Sequence, residues 1–212
     1  MRIIKRNEKV NKKLIEKFKE ELKREITFYR EDVENIELRL KETQGKNGYN
    51  VNPILSDRSK ISFLLNYLKD TKTDTETFNL KEYEKILNFL DKKFEKIKQR
   101  KDFQEKCLDE LETLANNWTH TAQHTFSGPE NFMHDLEWRD EYEAILKELK
   151  DDKEILKIKE KIKEADKKLQ KTAPQLLKRF HDFYENSEWD YYPKSYWWRH
   201  LKEFAEKQEG KK

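Results

Sequence analysis

Glycine and proline, the residues that most often interrupt regular secondary structure, are scarce in this chain, with four of each among 212 residues. Their positions leave three uninterrupted stretches, 1–44, 54–127 and 130–173. Lys, Glu and Leu, which all favour helices, are abundant in these stretches. The sequence therefore predicts an all-α fold, an elongated antiparallel bundle of about five or six helices with long coiled-coil-like hairpins.

The composition predicts a thin core. Charged residues make up 42% of the chain and hydrophobic residues 34%, a polarity that also occurs in disordered chains and, in its charge density, resembles thermophile proteins. However, 12 Phe, 9 Tyr and 5 Trp residues recur at helical spacing and supply large side chains to bury. We expect one elongated helical domain over 1–212, and we consider two sub-units within it, a long-helix hairpin over 1–126 and a helical hairpin with an aromatic terminal helix over 127–212.

Apolar periodicity locates the first helices. The first is expected over 8–43, and it carries a stripe with heptad spacing at Leu22, Ile26, Tyr29, Val33, Ile36 and Leu40. Ser56 and Asp57 are the expected caps of a second helix, and Asn79 is the expected cap of a third over 80–126. The third helix contains an apolar-free segment at 98–102, where we expect either an exposed waist or a local kink.

Capping and helix-breaking residues indicate the later boundaries. Either Asp151 or Asp152 is expected to cap a fifth helix. Pro174 predicts a kink or break near Thr172, because proline cannot donate the backbone hydrogen bond of a helix interior. The last helix is expected to open at Pro193.

The single cysteine and the hydropathy pattern bear on the compartment. Cys107 cannot form an intramolecular disulfide, and its apolar register predicts a buried, inert thiol. There is no apolar run of about 18 residues, the length of a membrane span, and residues 1–24 contain no apolar signal core. We expect a cytoplasmic protein without membrane association.

Charge is distributed unevenly, although the net charge is only +3. Residues 1–24 contain ten Lys and Arg against four Asp and Glu, whereas residues 130–154 contain four against ten. The basic segment can meet phosphate, and the acidic segment can meet a basic partner or a cation. Alternatively, the two segments face each other within the fold.

Three histidines near one turn suggest a metal site. His120 and His124 share a helix face, and a chain reversal around Gly128-Pro129 would bring His134 back opposite them. With Asp135, Glu137 or Asp140 as a carboxylate ligand or behind the histidines, and Asp135 as the first choice, this set would suit a divalent transition metal. The alternative is that these are polar groups at helix ends, where His is stabilised by the helix dipole.

Aromatic and basic residues mark a second candidate site, for nucleic acid or a protein partner. Aromatic rings can stack bases, cations can bind phosphate, and both residue types are also common at protein interfaces. The candidates are Lys5, Arg6, Lys9, Lys12, Lys13, Lys194, Trp197, Trp198, Arg199 and Lys202. The alternative is that the aromatic residues dock the terminal helix onto the bundle.

Sequence motifs for catalysis are absent. The chain has neither a glycine-rich phosphate loop nor a G-x-S-x-G nucleophile turn, and its many carboxylates do not single out a catalytic pair. We therefore expect a non-catalytic helical scaffold, assembly or adaptor protein that binds a protein partner or itself. A nucleic-acid-binding accessory protein is the first alternative, and a metal-binding helical bundle is the second.

Overall fold

A computed structural model describes residues 12–42, 51–71, 78–124, 129–150, 152–181, 189 and 191–209. Within these ranges the fold is all-α, as predicted, and contains no β-strand. One 3₁₀ turn, Trp197–His200, precedes the last helix. The α-helices are α1 (Lys12–Glu42), α2 (Asn52–Asp70), α3 (Leu80–Lys98), α4 (Lys101–His124), α5 (Pro129–Leu146), α6 (Lys153–Lys171), α7 (Ala173–Arg179) and α8 (Leu201–Glu209).

Several local signals in the sequence have the predicted effect. The heptad stripe of α1 is buried along its whole length. The Asn79 side chain accepts a hydrogen bond from the Lys81 backbone N–H at 3.1 Å and so caps α3. Asp152 caps α6 by accepting the backbone N–H groups of its first turn. A break at Thr172 separates α6 from α7, as Pro174 predicts.

The predicted start of α2 is wrong. The helix begins at Asn52 rather than after Ser56 and Asp57, and Pro53 occupies its first turn. The first backbone N–H groups of this helix find their acceptor on another helix. The Glu110 carboxylate on α4 accepts the N–H groups of Val51 at 2.8 Å and of Asn52 at 2.8 Å. A carboxylate far along the sequence therefore replaces the local cap.

Two other boundaries differ in detail from the sequence interpretation. The helix expected over 80–126 is interrupted at Gln99 and Arg100, inside the predicted waist. The chain after Pro193 forms turns up to Tyr196 and then the 3₁₀ turn, so the last α-helix begins only at Leu201. The break at Gln99 and Arg100 lies in a segment without apolar residues. The turns before Leu201 carry bulky aromatic side chains that reach the core.

Helices α1, α2 and α3 pack as one set. Helices α1 and α2 are antiparallel, and Lys60 on α2 bridges two α1 carboxylates, Glu21 at 2.9 Å and Glu25 at 3.0 Å. Helix α3 runs beside α1 in the same direction, and the Tyr29 hydroxyl donates to Asp91 at 2.8 Å. Interhelical hydrogen bonds thus fix the register of a core made largely of Leu, Ile and Phe.

Helices α4, α5 and α6 form a second set. On α4, the Trp118 indole N–H donates to Asp166 of α6 at 2.8 Å, and Arg139 of α5 pairs with the same carboxylate at 3.1 Å. Helix α2 also packs against α5, where the Asn52 amide donates to Glu141 at 2.5 Å. This contact joins the cores of the two sets into one.

The aromatic segment 189–201 is anchored on α5 by one buried carboxylate. Asp140 accepts the Trp198 indole N–H at 2.7 Å and the Arg199 guanidinium at 2.6 Å. The Arg199 guanidinium also lies 4.9 Å from the ring centres of Trp189 and Tyr192. Burial opposes the charge on Arg199, but the adjacent Asp140 raises its pKa above the ordinary value.

Replacing the anchor carboxylate should destabilise the fold. The substitution Asp140→Asn keeps the shape of the side chain but leaves the buried Arg199 guanidinium without a counter-charge. We therefore expect the free energy of unfolding to fall by about 3 kcal/mol. Urea unfolding followed by circular dichroism measures this change. The matched control is Asp109→Asn, an exposed position on α4. Equal stability of the two variants would contradict the proposed anchor.

Candidate functional site

The predicted metal ligands lie in different environments. His120 is exposed, and His134 is 72% exposed with its Nδ1 atom 3.5 Å from Glu137 Oε2. Within the described ranges, no three His, Cys, Asp or Glu side chains are grouped so that they could hold a metal ion. The side chain of His124 lies outside the described residues, so the metal site stays a prediction.

Asp135, the fourth predicted ligand, points into the contact between α4 and α5. It is buried, and Thr121 donates a hydrogen bond to it. Burial raises the pKa of this carboxyl to about 6. The contact with Thr121 places the start of α5 opposite the end of α4, the register expected from a chain reversal at 128–129.

The aromatic candidates belong largely to the core. Trp198 and Arg199 are buried against Asp140 and offer little surface to a ligand. Trp197 is half-buried, and its indole N–H is enclosed without a hydrogen-bond partner among the described residues. Lys194 pairs with Glu203 on α8, and Lys202 is exposed. A role for these residues in binding stays a prediction.

The basic candidates of segment 1–13 lie at the edge of the described region. Lys5, Arg6 and Lys9 lie outside the described residues, as does the side chain of Lys12. Lys13 is exposed on the first turn of α1. The structure therefore places this basic segment next to the start of α1 without assigning it a ligand.

Half-buried carboxyl groups collect where α2 meets α1 and α5. Burial raises the pKa of Asp57 to about 7, and the nearby Glu25 and Asp32 add to this increase while Lys60 opposes it. Burial also raises the pKa of Glu141 to about 7. This cluster stores electrostatic repulsion at neutral pH, which makes it a determinant of stability.

An open groove runs between α4 and α6. It consists of two clefts of about 710 and 440 Å³ that meet at Leu108, and no residue of α5 lines either one. The wider cleft is walled by the end of α3, including Lys98, and by the loop that follows α5. The apolar floor is formed by Leu108, Leu149 and Ile158, which are half-buried, over Ala115 and Ile155, which are buried.

The rim of this groove has an excess of negative charge. Seven carboxylates line the two clefts against four lysines. The α4 rim carries carboxylates alone, at Glu105, Asp109 and Glu112, spaced at i, i+4 and i+7. Glu105 is paired with Lys101 at 3.3 Å, whereas Asp109 and Glu112 take part in no ion pair among the described residues. The α4 side therefore presents a stripe of exposed negative charge beside an apolar floor.

Sequence reasoning missed this groove, although part of its signal is visible. Helix α4 carries a buried stripe formed by Phe103, Cys107, Leu111 and Leu114, and Leu108 is a half-buried apolar residue outside that stripe. Leu108 is flanked by the three rim carboxylates. Its partner residues on α6, such as Ile155 and Ile158, become neighbours only through tertiary packing.

Comparisons with known proteins add no functional assignment. No protein-family model, no curated protein and no solved structure matches this chain. Among the described helices, none combines the length and the apolar character needed to cross a lipid bilayer. Functional inference therefore depends on the geometry of the groove itself.

The half-buried carboxyl of Asp57 generates a pH-dependent prediction. Its folded-state pKa of about 7 exceeds the ordinary value of 3.8, so the folded state binds the proton more tightly and loses stability as pH rises from about 4 to about 7. We expect Asp57→Asn to be more stable than the wild type, by an increment that grows by about 2 kcal/mol between about pH 5 and about pH 8.

Urea unfolding at the two pH values measures this increment. The control is Asp70→Asn, an exposed carboxyl at the end of the same helix, for which we expect little pH dependence in this range. A constant difference between Asp57→Asn and the wild type at both pH values would show that Asp57 is not protonated in the folded state.

Proposed function

We propose that this chain is a helical adaptor that binds an amphipathic, basic helix of a protein partner in the groove between α4 and α6. The observation that carries the proposal is the open groove, which joins an apolar floor to an acidic rim. An apolar groove between helices is a common receptor for an amphipathic helix.

The dimensions of the groove suit a short helix. On α4 its lining extends from Gln104 to Ala115, which at 1.5 Å per residue corresponds to about 17 Å, or about three helical turns. A ligand helix of this length would present apolar side chains at i, i+3 or i+4, and i+7 to Leu108, Leu149 and Ile158. Burial of these apolar side chains would provide most of the affinity.

The negative charges of the rim favour a partner helix that carries Lys or Arg. Lys98 is already paired with Glu95 at 3.0 Å and with Glu148 at 2.8 Å. The carboxylates of the α4 rim are exposed and can pair with Lys or Arg along one edge of a bound helix. Such rim pairs mainly set the association rate and the choice of partner.

The other functions expected from the sequence have less support from the geometry. A nucleic-acid site would need exposed aromatic and basic side chains, whereas Trp198 and Arg199 are buried. A metal site would need convergent ligands, whereas His134 points to Glu137 and Asp135 to Thr121. Protein binding through the groove is therefore the preferred function.

A synthetic helix tests the groove. The probe is a labelled peptide of about 14 residues with Leu at i, i+3, i+4 and i+7 and Lys elsewhere. Fluorescence anisotropy measures its binding at about 50 mM and about 300 mM salt. We expect Leu108→Lys to weaken binding at least about tenfold, because it places a charge on the apolar floor and repels the peptide.

The matched control is Leu156→Lys, at an exposed leucine of α6 outside the groove lining. It introduces the same charge and should bind the peptide like the wild type. If the two variants bind equally well, the peptide attaches elsewhere and the groove is not the binding site.

A further inference from the structure

The groove has a specific candidate ligand within the same sequence. Given the proposed function, on which this inference rests, we propose that the helix bound in the groove is segment 1–11 of a second copy of this chain. The contact would make the protein self-associating, with the basic segment of one copy inserted between α4 and α6 of another.

The first argument is charge complementarity. Segment 1–11 contains four cations and one carboxylate. Three of these cations, Arg2, Arg6 and Lys9, recur at i, i+4 and i+7. The carboxylates of the α4 rim have the same spacing, so a helical segment lying parallel to α4, in the same chain direction, would place each cation opposite one carboxylate.

The second argument is the apolar content of one face of the segment. At 100° per residue, Ile3, Ile4 and Val10 fall within an arc of about 120° that also contains Asn7 and Asn11, and the cations lie outside it. This face can contact the apolar floor while the long cationic side chains extend to the rim. A helix of this length is marginal alone in water, so the groove would stabilise it on binding.

The third argument is the position of the segment in the fold. Helices α1 and α3 run side by side in the same direction, and Lys19 lies over the Phe78 ring at 5.2 Å near the start of both. The groove lies at the opposite end of α3, which with 19 residues is about 28 Å long.

An eleven-residue helix is only about 16 Å long. Segment 1–11 therefore cannot bind as a helix in the groove of its own copy, but it can reach the groove of another. Such a contact is heterologous, because different surfaces meet. Two copies can form a closed dimer if each inserts its segment into the groove of the other. Alternatively, further copies can add through the same contact and form larger assemblies.

Charge reversal in the full-length chain tests this contact. One variant reverses the segment, Arg6→Glu with Lys9→Glu, and a second reverses the rim, Asp109→Lys with Glu112→Lys. Analytical ultracentrifugation over a concentration series measures self-association. We expect the wild type to associate more tightly at low salt than at high salt, and each variant alone to associate at least about tenfold more weakly.

Mixing the two variants provides the decisive measurement. The negative segment of the first variant then faces the positive rim of the second, so an equimolar mixture should recover association although neither variant associates alone. The control reverses two exposed carboxylates of α1 instead, Glu31→Lys with Glu34→Lys, and should associate like the wild type.

Three outcomes would overturn the inference: a wild type that stays monomeric at every concentration, variants that associate like the wild type, or a mixture that does not recover association. The synthetic Lys and Leu peptide separates this failure from that of the proposed function. A monomeric wild type that binds this peptide in the groove overturns self-association only, whereas failure of both experiments overturns the two proposals together.

Discussion

The whole fold depends on helix α2, because this helix is packed from two directions. One side of α2 faces α1 and α3, and another faces α5, so both helix sets share it. Its six buried Ile and Leu side chains supply the apolar area, and Glu110 of α4 satisfies its first backbone donors. Because the start of α2 is buried between the two sets, its N–H groups need a partner within the protein, and the second set supplies it.

The position of α2 also explains why the groove is open. Helix α5 packs against α2 on one side and against α4 on the other, and it reaches α6 through the Arg139–Asp166 ion pair, so it covers only one face of the α4–α6 pair. The opposite face has no fourth helix among the described residues, and Leu108, Leu149 and Ile158 remain half-buried there. An apolar surface with a charged rim is typical of a face that is completed by another chain.

The features that could be predicted from the sequence are those set by neighbouring residues within one helix. The features that were missed depend on contacts between residues far apart in the sequence. The α1 stripe and the caps at Asn79 and Asp152 are local patterns. The start of α2 was missed because its cap is Glu110, and the groove was missed because Leu108 meets Ile155 only in the folded chain. The aromatic pattern around Arg199 was ambiguous for the same reason, since its partner Asp140 lies far away in the acidic segment 130–154.

Helix α4 separates the carboxylates that hold the fold from those available to a partner. Glu110 points inward, where it is buried against the start of α2, whereas Glu105, Asp109 and Glu112 point outward along the groove. Losing a buried, hydrogen-bonded carboxylate is costly, but an exposed charge contributes little to stability. Substitutions at the outward carboxylates should therefore leave the fold intact, so the proposed binding can be tested on α4 without loss of stability.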